Sequence, residues 1–583
     1  MPDLAEDSRI NVWRDRIERS KKIRKKYLKD VKKYIEFYEG SQWGDKKVTL
    51  SEKAVVNLIF PHIKAQLPAL YFQNPKWFCN AKGKKDEIEV LKRKALIAQE
   101  ALNYYAKENL GITLKKQIRL SILDAFFSFG TIKVGYVADF ESNPTYGNFN
   151  VIGYDEGGDP IYEIDPETGK PLSDDEEEIV TNEAFFARRR SPRVMLFDPE
   201  CENYFEDGRW IAEEIVKTIE DVKASRLYDN TKDLEASFSV KPGYGTDDID
   251  HEEYPELRED LERITIYEMY DLEHDKLLVM ADGHDKFLRD ETTPDGVEGC
   301  PYVFLRFNET PDEMYPISDI KNLKPVQEEY NLGRSMIMTH AKRYARKYGY
   351  TDSTFGSNAE QEMEKVKNPE DGLFFKVQDL KEMPQPLVDA PLDAAVYSSF
   401  EQAKQDFREV GGATESERGV VERRKTAYEA SKIAEASSIR KEDRKSLVED
   451  FASEIGSKLL QSMQANLTIE EAVEIMGQSG VEWVNISREE IEGQFTVGVE
   501  IGSCAPRIPE FERQEMINMM QVIAQFPPDL VTMYINLEGI LKNMPRYFPL
   551  LEYENLINTP EQVEQMKQMI MAQKSKPQQG GGQ

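Results

Sequence analysis

Leu447, Phe451, Ile455, Leu459 and Met463 recur every four residues, and the pattern from Thr426 to about Asn466 predicts one very long helix. At 1.5 Å per residue such a helix is ~61 Å long. Its first turns are rich in small residues (Ala427, Ala430, Ala434, Ala436), which lets neighbours approach closely. A rod of this length cannot bury both ends inside one small domain. Packing against copies of the same chain would solve that, so the expectation is an elongated, self-associating subunit.

Length and charge narrow the class. A chain of 583 residues implies several domains or one elongated multi-part subunit. It has 76 Lys and Arg against 107 Asp and Glu, a net charge of −31, whereas a typical nucleic-acid binder is net basic. Any contact with DNA is therefore expected to be local or weak. Cys79, Cys201, Cys300 and Cys504 lie far apart without CxxC spacing, which points to free thiols in a reducing cytosol. The N-terminus lacks the apolar core of a signal peptide, and the longest apolar runs fall far below the ~20 residues that span a bilayer. The expectation is a chain made in a cytoplasm, with no membrane partner.

Residues 9–39 read as a basic helix whose Lys and Arg are interleaved with Asp15, Glu18, Asp30, Glu36 and Glu39, which favours a solvated face over a nucleic-acid face. Pro61, Pro68 and Pro75 preclude one straight helix through the next stretch. Helices follow at 86–109 and 112–128, then a strand in TIKVGYVADF. Residues 141–183 read as a hairpin with an acidic exposed loop. Asp174 to Glu178 could attract a cation, but adjacent carboxylates make a poor cage. Strands come next around ARRRSPRVMLFDPE, then a strand leading to a short helix opening at Thr218, a polar loop over 225–260, and a meander over 263–291. His274 and His284 sit at its turns, where solvent exposure is favoured over a metal pair. An extended bridge, CPYVFLRFNETPDEMYPIS, leads onward.

From Leu323 to Tyr348 a helix of ~39 Å is expected. Lys342 and Arg346, and likewise Arg343 and Lys347, are i,i+4 neighbours, and Arg334 falls within about 80° of Lys342, so this half of the helix carries a basic stripe. Repeated around a ring, the stripe becomes a belt able to meet phosphates. Alternatively, the charges pair with Asp393, Glu401, Asp406 and Glu409 on a returning helix. Between the two lies an insert, 350–389, with a short polar helix and a strand GLFFKV. Gly411 and Gly412 break the returning helix. Arg418, Arg423, Arg424 and Lys425 then crowd a loop containing Gly419, either an exposed contact surface or an ordinary solvated loop. Two short helices are expected over 468–492 from capping boxes at Thr468/Glu471 and Ser487/Glu490. An alternating strand, a Met-rich helix and further helices follow. The tail QKSKPQQGGGQ should be disordered.

In order, these segments resemble the portal proteins of tailed bacteriophages. The stretches that carry the resemblance are NLIFPHIKAQLPALYFQNPKWFC, LDAFFSFGTIKVGY, the helix–insert–helix unit, and Gly412, Gly419 and Thr426-Ala427-Tyr428-Glu429-Ala430 in sequence. Tyr428 departs from the small hydroxyl residue expected there, which leaves that local contact open. The resemblance spans roughly residues 50–545.

It implies an α+β portal fold that forms rings. Residues 1–315 with 467–510 would make a mixed wing, 316–348 and 390–411 a stem, and 349–389 a small α/β clip. Residues 412–426 would be a tunnel loop, 427–466 a long kinked helix and 511–583 a helical crown. It further implies a homo-dodecamer at one capsid vertex of the virion, assembled in the host bacterial cytoplasm, through which double-stranded DNA is packaged and ejected. Terminase large subunit, head-tail adaptor or neck proteins, and major capsid and scaffolding proteins would be partners. Arg418, Arg423, Arg424 and Lys425 would face the channel, with Arg334, Lys342, Arg343, Arg346 and Lys347 as a stem belt. Gly411, Gly412 and Gly419 would be hinges. Phe355, Asn368, Phe374 and Phe375 would lie on the docking clip.

Enzymatic signatures are missing: no GxxxxGK[ST], HExxH, GxSxG or GxGxxG occurs. No enzyme activity, metal or cofactor is therefore expected. FDPECENYFEDG could be read as a metal-dependent nuclease site, but among 107 acids such clusters arise freely. That phosphodiesterase, and a structural hub without nucleic acid, are the alternatives.

Overall fold

The computed structural model describes residues 6–526 apart from 45–52, 84–87, 145, 150, 155–159, 163, 165–176, 237–261, 294–295, 344–347, 350, 352–353, 355, 368–375, 378, 380, 382–384, 387–391, 413–426, 469–470, 478–479, 501–502 and 505–508. Two compact units divide at residues 504 and 505.

In the first unit, helix α1 (Glu6–Glu39) turns Ile10, Trp13 and Ile17 inward, spaced to share one helical face. They pack on a five-stranded antiparallel sheet ordered β10-β9-β8-β7-β6. Its strands are β6 (Met195–Phe197), β7 (Trp210–Thr218), β8 (Arg263–Asp271), β9 (Lys276–Ala281) and β10 (Phe287–Thr292). Alternation sorts its side chains. Trp210, Ala212, Tyr267 and Met269 face α1, while Ile211, Ile264 and Ile266 face a second core with Phe129, Phe197 and Phe205. Trp13 meets Trp210 edge-on at 5.8 Å. The short helix α5 (Ile219–Ala224) opens at Thr218, whose hydroxyl accepts from Asp221 N–H, as its sequence predicts.

Helix α2 (Ile59–Leu70) contains Pro61 and Pro68 and stops before Pro75. Pro61 lies in the first turn, where no helical N–H bond is lost, and Pro68 in the last. After β1 (Trp77–Ala81) come α3 (Ile88–Tyr104), a π-turn over Tyr105–Asn109, and α4 (Gly111–Phe127). Strand β2 (Gly130–Ser142) pairs with β5 (Glu178–Arg189), the expected hairpin, with a small β3 (Val151–Tyr154) and β4 (Pro160–Tyr162) ribbon between them. β11 (Tyr302–Leu305) adds to β2, so the stretch expected as a bridge is a sheet strand.

Helix α6 (Asp319–Arg343) leads into the insert, where β12 (Tyr348–Gly349) pairs with β13 (Gln385–Pro386) and α7 (Ala359–Lys367) lies between. Tyr348 was expected to be helical; it is instead a strand residue. α8 (Ala394–Gly411) returns and is capped by Asp393 at its start and by Gly412, at φ 66°, at its end. That left-handed conformation is the reason for glycine there.

The long helix is present as α9 (Ala427–Asn466). Its apolar stripe does not wait for a second copy, however. Phe451, Ile455, Leu459 and Met463 are buried within the one chain, in the largest core, which also holds residues of α2, α3, α4 and β2. Trp77 lies so close to α9 that a Cβ on Gly456 would clash with its indole nitrogen, which donates to Ala452 O at 2.8 Å.

The first of the two short helices expected over 468–492 is not formed. β14 (Glu471–Gly477) and β15 (Gly480–Ile486) make an antiparallel hairpin there. Thr468 gives both its N–H and hydroxyl to Glu183, and the β-branched and aromatic residues of GVEWVNI (Val481, Trp483, Val484, Ile486) favour a strand. The second helix exists as α10 (Arg488–Ile491), though Ser487 makes no side-chain cap. β16 (Phe495–Val499) returns to pair with β1. In the second unit the described helix is α11 (Pro509–Ile523).

Candidate DNA-channel interface

α6 is fixed on two sides. At its start Arg444 of α9 grips the Asp319 carboxylate with two contacts of 2.8 Å and donates to Gln66 of α2 at 2.7 Å. Along one face Gln327, Asn331 and Ser335 recur every fourth residue and are buried although polar. They accept N–H bonds from Leu58, Val56 and Ala54 at 2.9, 3.0 and 2.9 Å. Gln327 also donates to Val56 O at 2.9 Å. An extended strap, residues 54–58, is thus satisfied by side chains of a helix rather than by a sheet.

On another face Tyr330 stacks on Phe400 of α8, with ring centroids 4.4 Å apart, and Phe400 also covers Gly333. At the far end of α8, Gly411 abuts the His62 ring, whose helix starts from the strap beside Gln327. α8 therefore runs back along α6, an out-and-back pair. Burial, then the charge of Glu401, raise the Tyr330 hydroxyl above its usual range, with Arg334 and Arg408 opposing.

Arg334 and Lys342 are both exposed on α6. Lys342 also interacts with a neighbouring group, and the four acids considered as its partners and those of Arg334 have contacts on their own helix. Asp393 caps Ala395, Glu401 lies 4.0 Å from Lys404, Gln402 donates to Asp406, and Gln405 donates to Glu409. Arg343 closes α6. Arg346 and Lys347, the loop residues Arg418, Gly419, Arg423, Arg424 and Lys425, and the insert residues Phe355, Asn368, Phe374 and Phe375 lie outside the described residues.

Sequence reasoning missed the Gln327–Asn331–Ser335 ladder. Its signal was polar residues at helical spacing on a face that should have been apolar. The basic α1 is partly used inside the chain: Arg24 bonds Glu214 at 2.5 Å, Arg9 bonds Asp290 and Arg14 bonds Asp285, each at 2.8 Å.

A groove of about 450 Å³ between α1 and α4 has Arg189 and Asp124 among its lining, paired through two hydrogen bonds that close the charges on each other. His274 Nδ1–H donates within its own turn to the Asp271 carboxylate at 3.0 Å. Among the described residues no group of three or more His, Cys, Asp or Glu is placed to hold a metal, and no helix is long and apolar enough to cross a membrane.

The described chain is a mixed helix-and-sheet protein with an out-and-back helix pair around a small insert. The model of the family described as phage SU10 portal protein matches residues 181–580, well over half of the chain. The chain belongs to this family of tailed-phage portal proteins. Its role is that of a phage portal, a component of the virion capsid from a structural, non-enzymatic family. No curated protein matches the sequence.

Proposed function

We propose that twelve copies close into a ring at one capsid vertex, through which double-stranded DNA enters during packaging and leaves on ejection. The observation that carries this reading is the α6/α8 pair, fixed at its base by the strap and Arg444, with Arg334 and Lys342 exposed on it. In a ring these charges repeat into a thin positive belt in an otherwise acidic tube. The belt attracts phosphates without sequence preference, and the acidic surroundings keep DNA from sticking.

The loop over 412–426, with Arg418, Arg423, Arg424 and Lys425, would touch DNA or act as a catch, with Gly411, Gly412 and Gly419 as its hinges. Arg343, Arg346 and Lys347 would extend the belt. The insert over 349–389, with Phe355, Asn368, Phe374 and Phe375, would dock the terminase large subunit and later the neck proteins. The rest would meet capsid and scaffolding proteins. Terminase would supply the ATP-driven work.

The test neutralises Arg423, Arg424 and Lys425 in one variant, and Arg334 and Lys342 in another. DNA retained per filled capsid is then measured beside ring assembly. The expected outcome is intact rings with packaging or retention reduced several-fold. Wild-type DNA yield in both variants would contradict a DNA-facing role.

A further inference from the structure

The β2–β5 hairpin extends beyond the core. Gly130 to Gly135 are buried, but from Val137 onward β2 is largely open. Val137 and Phe140, on alternate faces, are 52% and 53% exposed, and beyond the end of β2 Phe149 is 51% and Ile164 60% exposed. Phe149 and Tyr162 meet edge-on at 5.5 Å. A two-stranded ribbon with solvated apolar side chains on both faces is marginal in water and calls for a cover. The arm is also acidic. Among its described residues Asp139, Glu141 and Glu177 are exposed.

The complement is on α1. Arg19, Lys22, Lys26 and Lys29 follow at i, i+3, i+7 and i+10, within about 80° of one another around the helix. All four are exposed, with Ile23, 40% exposed, beside them. Among the described residues none of the four makes a hydrogen bond or close ion pair, although Lys29 acts on the neighbouring Asp30 from farther away, whereas Arg9, Arg14, Lys21 and Arg24 pair with the chain's own acids.

We propose that the acidic arm of one subunit lies across the basic face of α1 on a second copy of this chain. This rests on the ring reading above. Each copy then offers one arm and one face, and the two are not self-complementary. Such a head-to-tail contact propagates around a ring instead of stopping at a two-fold dimer. DNA is the competing occupant of the basic face. It would leave Val137, Phe140, Phe149 and Ile23 uncovered, while a second subunit covers them and pairs the charges at once.

The full-length chain tests this by native mass spectrometry and size exclusion at increasing salt. One variant carries R19E, K22E, K26E and K29E. A second carries D139K, E141K and E177K, and a third carries all seven changes. A fourth replaces 144–176 with a short turn, since Asn143 N–H already bonds Glu177 O at 2.8 Å. The expected result is that the first, second and fourth lose about tenfold or more of their ring fraction and become more salt-sensitive. Their circular dichroism and melting stay those of a folded chain. The sevenfold exchange regains rings.

Wild-type chain that forms no ring overturns both this contact and the ring reading. Wild-type rings alongside equally stable rings of the first and fourth variants overturn this contact alone. Intact rings of the first variant that release DNA give the basic face to DNA and likewise overturn it.

Discussion

Lys133 ties two sheets together through charge. The residue is 8% exposed, and its ammonium lies 2.5 Å from Glu268 of β8 and 3.3 Å from Glu213 of β7. Glu213 also takes the Tyr302 hydroxyl at 2.9 Å and Arg190 at 2.9 Å. Burial alone would lower the Lys133 pKa, but the two carboxylates outweigh it and hold it above its ordinary value. Burial alone would raise Glu268, but Lys133 and the Tyr270 hydroxyl outweigh that and hold it below. The lowered carboxylate contributes stability that is present above its unfolded pKa of ~4.3 and lost as pH falls through the folded value. The raised ammonium contributes below its unfolded ~10.4 and is lost as pH rises past the folded value. Lys133→Met leaves the buried Glu268 without its ammonium and Glu213 with the Arg190 cation alone, and should cost about 3–5 kcal/mol in urea unfolding at neutral pH. A loss under about 1 kcal/mol would show that the cluster is not held by its charges. The four cysteines are buried and free. Burial pushes the thiols of Cys79, Cys201 and Cys504 up to about 12. Iodoacetamide at pH 8 should label the native chain far more slowly than the urea-unfolded one; equal rates would place a thiol in solvent.

Among the elements, α6 depends on its polar ladder. Replacing Asn331 with Leu leaves the Val56 N–H and the Gln42 amide unanswered, and each buried orphan costs about 1–3 kcal/mol. Hydrogen exchange at Val56 should quicken in that variant more than at Ile211 in the distant sheet, and uniform quickening would mean global destabilisation only. Most elements were legible because one local signal dominated each. Alternation gave β2 and the meander, helical spacing gave α1, and Thr218 gave α5. The misreadings have local causes too. A Thr-x-x-Glu spacing suggested a helix at 468, yet the Thr468 hydroxyl is taken by Glu183, a partner 285 residues away that no local window includes. The stripe on α9 was correctly seen as apolar, but periodicity shows only that a face is covered, not by what. Here its own chain covers it.

For the whole molecule, order carried more information than any single motif. A helix, an insert, a returning helix ended by glycine and a very long helix could be read as a portal because they come in that succession. The basic residues proposed to meet DNA were visible only as charges; which of them face a channel depends on the ring, which no single chain contains. A net charge of −31 with the proposed thin basic belts predicts DNA association that weakens steeply with salt, while the proposed rings persist longer. DNA binding that is insensitive to salt would contradict a phosphate-based contact.

The most direct test of closure is the mass of purified, capsid-free protein by native mass spectrometry, with negative-stain images of the same sample. The portal account predicts particles of twelve 67.2 kDa chains, seen end-on as rings with a central hole. A compact single chain at every concentration, with no circular assembly, would contradict it.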